Sequence, residues 1–494
     1  MSNLVIPQWG RFEQSFVVSD MSSKVSCNPF DVEFKADFKK GNRKLTVFGF
    51  YDGADIFKLR FMPDSPGEWA FQTISSIPDL NNITGSITCT QSEGDGHGPA
   101  RVNGKHFIYA DGTPLYPFGT TCYAWIHQPE DLRRKTIESL KQTPGFKKIR
   151  MCVFPKHYDF NKNEPELFAF EGSLEKSFDY TRPNPAFFSH LEDCLQDLNA
   201  IGVEADLILF HAYDHWGFSK MDEACNHRYL RYLAARLASF PNVWWSLANE
   251  YDLLRHLGEQ DWEGFAKVLQ EVDYTGHLMS IHNCFGFYNH SRPWITHASI
   301  QRQDVYKTTE YTSDWINEYS KPATLDEIGY EGDINWGWGN LTAEELMRRS
   351  WEAYVRGGYP GHGETYVSPD DILWWSKGGI LKGDSPARYN FLLKICEETG
   401  PINHLPERSP WDMPVGGVEG KVYIAYMGFS RPRYRAFHSD HPYLGRNNLP
   451  EGNYKVEVID TWNMTITDCG VMARKDLYVD LPGRQYMAVR FTMV

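Results

Sequence analysis

Two stretches decide how this chain folds: Asn242-Val243-Trp244-Trp245-Ser246-Leu247-Ala248-Asn249-Glu250 and Pro322-Ala323-Thr324-Leu325-Asp326-Glu327-Ile328-Gly329-Tyr330. Each is a short apolar run that terminates in a glutamate. A strand that is otherwise apolar has no structural need for an acid at its carboxyl end. In a (β/α)8 barrel that end is where active sites are assembled. Two carboxylates facing one another there are the equipment for breaking a glycosidic bond.

Outward from these stretches, residues 100 to about 400 alternate apolar strands with amphipathic helices, the signature of βαβ units. Eight strands are expected, beginning near Pro117–Thr120, Ile149–Val153, Ala205–Phe210, Val243–Leu247, Leu278–His282, Ile295–Ser299, Ala323–Asp326 and Gly358–Gly363. Leu191, Cys194, Leu195, Leu198 and Ile201 follow helical spacing. Thr342 with Glu345 forms a capping box, and Ser385-Pro386 places a cap before a first-turn proline. Short alternating runs such as Gln14–Val18, Leu45–Phe50 and Ile56–Phe61 precede this region, and Lys421–Tyr426, Tyr454–Asp460 and Met487–Phe491 follow it. The expected fold is α/β: a (β/α)8 TIM barrel at 99–405, flanked by β-sandwich domains at 1–98 and 406–494.

The chain has 494 residues, 41% of them hydrophobic, enough for a large core. Sixteen Trp and 27 Tyr mildly favour a carbohydrate ligand, since loop Trp is a platform for stacking sugar rings. Fifty basic against 64 acidic residues give a net charge of -14, which argues against nucleic acid, whose phosphates demand clustered Lys and Arg. No apolar run is long enough to span a membrane, and Met1–Gln8 has no basic-then-apolar leader pattern. The 9 Cys lack CxxC spacing and several fall inside predicted elements (Cys152, Cys194, Cys284, Cys396). Free thiols in a reducing compartment are expected, with a cytoplasmic location. No cofactor and no metal are expected; a homo-oligomer is compatible with the outer domains.

Asn249-Glu250 followed by Glu327 resembles the retaining glycoside hydrolases of the large (β/α)8 clan. Within it the chain is similar to the apiosidase-like barrels that carry an N-terminal immunoglobulin-like domain and a C-terminal β-domain. Phe57-Lys58-Leu59-Arg60-Phe61-Met62-Pro63-Asp64-Ser65-Pro66-Gly67-Glu68-Trp69 and Glu327-Ile328-Gly329-Tyr330-Glu331 carry that resemblance. It implies Glu250 on strand 4 as the general acid/base and Glu327 on strand 7 as the nucleophile. It covers nearly the whole chain.

The remaining site expectations follow strand ends. Asn249 is expected to donate to the sugar hydroxyl beside the anomeric centre. His211 and Tyr213 after strand 3, Trp125 after strand 1, and His282 and His297 at the ends of strands 5 and 6 are candidate substrate contacts. So are Tyr330, Glu364 after strand 8, and Trp374 and Trp375 in the loop beyond. Trp244 and Trp245 are expected to give Glu250 apolar surroundings. Each has a plainer reading: Glu250 as a helix-cap acid, Asn249 as a turn residue, the histidines as satisfied core groups, the tryptophans as packing. Asp326, Glu331 and Glu364 rival Glu327. Two other functions compete: a catalytically silent carbohydrate-binding protein, and a metal-dependent hydrolase using His211, Asp214 and His215.

Overall fold

The computed structural model describes residues 4–25, 28–92, 94, 96–302, 304, 307–405, 413–437 and 449–494. Its centre is a parallel sheet of eight strands. In chain order these are β1 (Gly119–Thr121), β2 (Lys148–Cys152), β3 (Glu204–Phe210), β4 (Val243–Ala248), β5 (Met279–Ser280), β6 (Ala298–Gln301), β7 (Ala323–Glu327) and β8 (Tyr359–His362). Spatial order runs β5-β4-β3-β2-β1-β8-β7-β6. A parallel bridge between His282 and Ser299 joins the two edges, so the sheet is nearly closed. Strands β2, β3, β4 and β7 are buried at every position, as parallel strands covered on both faces must be.

Helices α1 (Glu130–Gln142), α2 (Pro185–Asn199), α3 (Glu223–Leu237) and α4 (Glu259–Val272) follow β1 to β4. Helices α5 (Thr312–Tyr319), α6 (Ala343–Val355) and α7 (Ser385–Thr399) follow β6 to β8. Asn184, Asp222 and Thr342 cap α2, α3 and α6 through their side chains. The β5–β6 connection carries no helix, and β6 starts three residues later than the apolar run Ile295–Ser299 suggests. That slip matters below, because it moves His297 to the wrong end of its strand.

The barrel interior is not wholly apolar. Lys148, fully buried, donates to Asp206 (2.6 Å) and Asp326 (2.8 Å). Ser299 and Thr324 hydroxyls also donate to Asp326, at 2.6 and 2.7 Å. Arg150, one turn of pleat further up β2, lies 3.9 Å from Asp206 and reaches on to Glu327. This ladder of alternating charge runs up the lumen toward the carboxyl ends of the strands.

The N-terminal domain pairs a five-stranded sheet (Leu4–Pro7, Thr84–Thr90, Gly67–Ser75, Phe34–Lys40, Arg43–Phe48) with a three-stranded one (Phe12–Val17, Ile56–Phe61, Phe50–Tyr51). Phe12, Phe38, Phe61, Trp69 and Phe71 form the core between them. Arg60 ties it to the barrel, donating to Glu192 on α2 (2.9 Å) and to the Arg236 carbonyl on α3 (3.0 Å). Arg236 in turn donates to Glu192 (2.5 Å) and Asp52 (2.6 Å). The C-terminal domain is a six-stranded antiparallel sheet that begins at Asn403–Leu405 and ends at Met487–Met493, with a small two-stranded sheet beside it.

Candidate active site

A cleft of about 420 Å³ opens over the carboxyl ends of the strands. It is lined by Tyr123, Lys156, Tyr213, Glu250, Cys284, Gln301, Glu327 and Trp375, together with Tyr158, Asp159, Phe160, Phe285, Trp336 and Trp338. The first seven of these follow or end β1 to β7 in turn, and Trp375 comes from the loop after β8. A larger cavity of about 780 Å³ lies at the other end, around Lys147, Glu204 and Asn242. That is the amino-terminal face, where this fold builds stability and not chemistry, so the smaller cleft is the candidate site.

Glu250 has φ +53°, a left-handed conformation that non-glycine residues adopt at a cost and that clusters at functional sites. It stands at the N-cap position of the short 3-10 turn Tyr251–Leu253, yet its side chain makes no capping bond. The carboxylate instead turns into the cleft. It accepts from the Tyr213 hydroxyl (2.5 Å) and the Gln301 amide (3.3 Å), both neutral donors.

Glu327 is surrounded differently. Arg150 donates to Oε1 at 3.3 Å, His282 Nε2 lies 3.3 Å from the same oxygen, and the Tyr123 hydroxyl makes a short bond to it. Burial alone would raise its pKa; His282, Arg150 and Tyr123 outweigh burial and hold it down at about 2. These three groups favour the ionised form of Glu327. Arg150 also donates to Asn249 Oδ1 (2.9 Å), and the Tyr123 oxygen lies 3.1 Å from that atom. Asn249 Nδ2, fully buried, has no partner among the described residues, which leaves an amide donor beside both glutamates.

The other expected contacts separate into two groups. Tyr213 and Trp375 line the cleft, and His282, fully buried, reaches it only through Glu327. His282 is held by Ser299 at Nδ1 (2.9 Å), and Trp375 packs against Tyr123, Tyr158, Phe160 and Trp338. Tyr330 is wholly buried behind Trp375 and Trp338. The remainder lie outside the cleft. His211 accepts from the Tyr213 amide (3.2 Å) and its Nε2 meets the Phe154 carbonyl (3.2 Å), so both ring nitrogens are spent on the backbone. Burial, then Lys156, lowers its pKa to about 4, and it acts as a support for Tyr213. Trp125 is buried in the core, its indole N–H on the Arg133 carbonyl. Trp374 turns away from Trp375 to donate to Thr120 (2.7 Å).

His297 precedes β6 and packs on Phe107 and Trp244 near the barrel floor. Trp244 and Trp245 point to Glu204 and Asp273 there, so they do not surround Glu250. Among the rivals, Asp326 is consumed by Lys148. Glu331 accepts from the Asp384 and Ser385 amides at the start of α7 (2.8 and 3.1 Å), and Glu364 from the Lys382 and Gly383 amides (2.7 and 3.0 Å).

His211, Asp214 and His215 do not converge. Asp214 accepts from the amides of Trp216, Gly217 and Ser219, and His215 meets Glu164. Among the described residues, Glu331, His362 and Glu364 have metal-ligand spacing. His362 Nδ1 meets the Thr120 hydroxyl (2.9 Å), which also accepts from the Trp374 indole.

The sequence points to Tyr123 and Lys156 as positions on the catalytic face without marking them as contacts, and does not point to Arg150, Cys284 or Gln301. For Tyr123 and Lys156 the available signal was position alone, just beyond β1 and β2.

A model of the apiosidase-like catalytic domain matches residues 101–382. The chain belongs to the apiosidase-like family. Models of two domains of unknown function, DUF5060 and DUF5605, match residues 5–76 and 411–492. No curated protein matches. A provisionally assigned glycoside hydrolase from Bacteroides vulgatus is 37% identical, covers 100% of both chains and superposes with a TM-score of 0.91. A family 5 glycoside hydrolase from Bacteroides vulgatus shares the fold at 13% identity and a TM-score of 0.62, over 80% of this chain and 94% of that one. The apiosidase-like barrel is thus glycoside-hydrolase-like in fold and family, and among its described residues no helix is long and apolar enough to cross a membrane.

Proposed function

We propose that this chain is a retaining glycoside hydrolase acting by double displacement on short oligosaccharides or glycosides. The observation that carries the reading is the unequal setting of two glutamates in one cleft. Glu327 is held ionised by a cation, a histidine and a phenol, as a nucleophile needs. Among the described residues, Glu250 accepts from neutral donors, as a group that must take and give a proton needs.

Glu250 gives its proton to the glycosidic oxygen as the bond from that oxygen to the anomeric carbon breaks. Glu327 forms the new bond to that carbon. Water then attacks the same carbon, Glu250 takes its proton, and Glu327 leaves as carboxylate. On this reading Asn249 Nδ2, which has no partner among the described residues, donates to the hydroxyl beside the reacting carbon. A silent sugar-binding protein would have no use for a carboxylate kept ionised at such electrostatic cost. The eight described cysteines are all unbridged, which supports a reducing, cytoplasmic setting.

Azide separates the roles. With a dinitrophenyl glycoside, Glu250→Ala should be rescued by azide to a glycosyl azide of retained configuration. Glu327→Ala should give the inverted azide. Swapped outcomes would reverse the roles, and no rescue of either folded variant would refute the pair.

A further inference from the structure

The proposed reaction leaves the basic group of the cleft unused. Lys156, in the loop after β2, lines the cleft and is 2% exposed. Its ammonium sits over the rings of Tyr123 (3.5 Å to the centroid), Tyr213 (4.2 Å), Tyr158 (5.0 Å) and Trp375 (5.6 Å). Among the described residues it has no hydrogen-bond acceptor and no ion pair. Ring faces hold a cation but leave its N–H donors unsatisfied. Burial lowers its pKa below the ordinary lysine value, with Glu250 and Glu327 acting in the opposite sense.

Its place is specific. Tyr123 bonds Glu327 and Tyr213 bonds Glu250, so the ammonium lies between the two phenols that hold the two acids. There it opposes the chemistry. Glycoside cleavage passes through a state with positive charge on the sugar ring. A fixed cation beside that ring raises the barrier unless the substrate brings a negative charge to pair with it. Arg150 cannot serve that anion, because it is buried beside Glu327 and Asn249 and does not line the cleft. Lys156 is the basic side chain that lines the cleft among the described residues.

We propose that the cleft takes an acidic glycoside, whose carboxylate or sulfate ester pairs with the Lys156 ammonium. This rests on the glycosidase reading above. Lys156 is then a specificity-determining residue: the anion satisfies its donors, neutralises it, and fixes the sugar against Trp375.

The test compares 4-nitrophenyl glycosides in matched sets that differ only at C6: hydroxymethyl, carboxylate, or sulfated hydroxymethyl, in gluco, galacto and manno series. The wild-type chain should favour an acidic member over its neutral partner in kcat/KM. Lys156→Met should lose about 10- to 100-fold on the acidic member, as expected for one charge-assisted contact, and should gain on the neutral one, whose transition state the unpaired cation opposes. Lys156→Arg should keep much of the preference. The carboxylate and sulfate arms identify which anion is read. A neutral preference, or equal losses on acidic and neutral members, would overturn the proposal and leave the glycosidase reading intact. If no glycoside is cleaved, that reading fails instead. The anion site is then read by calorimetric titration with free uronates and sugar sulfates. Binding that Lys156→Met abolishes supports it, and binding of none overturns it.

Discussion

Replacing Arg150 with methionine should move the acidic limb of the pH–rate profile. In the proposed mechanism Glu327 acts as a carboxylate, and Arg150 at 3.3 Å is one of the groups that favour that form. A unit charge pair near 4 Å is worth roughly 4 kcal/mol at an effective dielectric of 20, or up to about 3 pKa units. Opposite charges in proteins commonly shift carboxylates by about 1–3 units. His282 and Tyr123 remain in the variant, so Glu327 should rise from about 2 to roughly 3–5.

The sign follows from ionisation. With the folded pKa depressed, activity persists as pH falls until that low value is reached. Raising it brings the loss of activity up into an accessible range. The assay is kcat/KM from pH 3 to 8 on an aryl glycoside with a good leaving group, so that proton donation by Glu250 is not limiting. Circular dichroism at each pH controls for unfolding. An acidic limb that stays in place, with only a uniform drop in rate, would refute the assignment of Arg150 as the group that holds Glu327 ionised.

Glu192→Ala should destabilise by about 3–5 kcal/mol in urea melts, because it leaves Arg60 and Arg236 buried without their shared carboxylate. Burial raises the Glu192 pKa, but Arg236 and Arg60 lower it more, so its contribution should fade as pH falls below about 4; a variant as stable as wild type at pH 7 would contradict this. Trp375→Ala should raise KM roughly 3- to 10-fold through lost ring contact, with kcat less affected. The thiol of Cys284, in the cleft, is pushed up by burial and then by Glu250. Iodoacetamide should therefore label it slowly at neutral pH and faster in Glu250→Gln, and an unchanged rate would break the link between them.

Topology made much of this legible. Apolar runs buried on both faces mark the parallel strands, and an acid at the end of such a run has few structural explanations. That is why β4 and β7, and the meeting of Glu250 with Glu327 over the barrel, could be read in the chain. Where no side-chain pattern fixes register, reading failed. His297 follows an apolar run, Ile295-Thr296, that is connection and not strand, so β6 begins one residue beyond it and Gln301 takes the strand end. Tyr123 and Trp125 lie two residues apart after β1, and nothing local tells which faces the cleft. The 3-10 turn Trp125–His127 sends the tryptophan into the core.

The charged lumen was hidden for a different reason. Lys148, Arg150, Asp206 and Asp326 lie on three different strands, and only their pairing across the barrel makes them one ladder. The same holds for Lys156, whose meaning depends on rings from β1, β3 and the β8 loop. His211 was the converse case. A histidine at a strand end reads as a ligand contact, yet its nitrogens serve the Phe154 carbonyl and the Tyr213 amide.

The covalent intermediate decides the central question most directly. A 2-deoxy-2-fluoro glycoside with a dinitrophenyl leaving group slows both steps but the second more, so the glycosyl-enzyme accumulates. Peptide mass spectrometry of the inactivated wild-type chain should then place one sugar on Glu327, within Ala323–Glu327 or the residues just after it, and none on Glu250, Glu331 or Glu364. A label on any of those three, or cleavage with inversion and no adduct, would contradict Glu327 as the nucleophile.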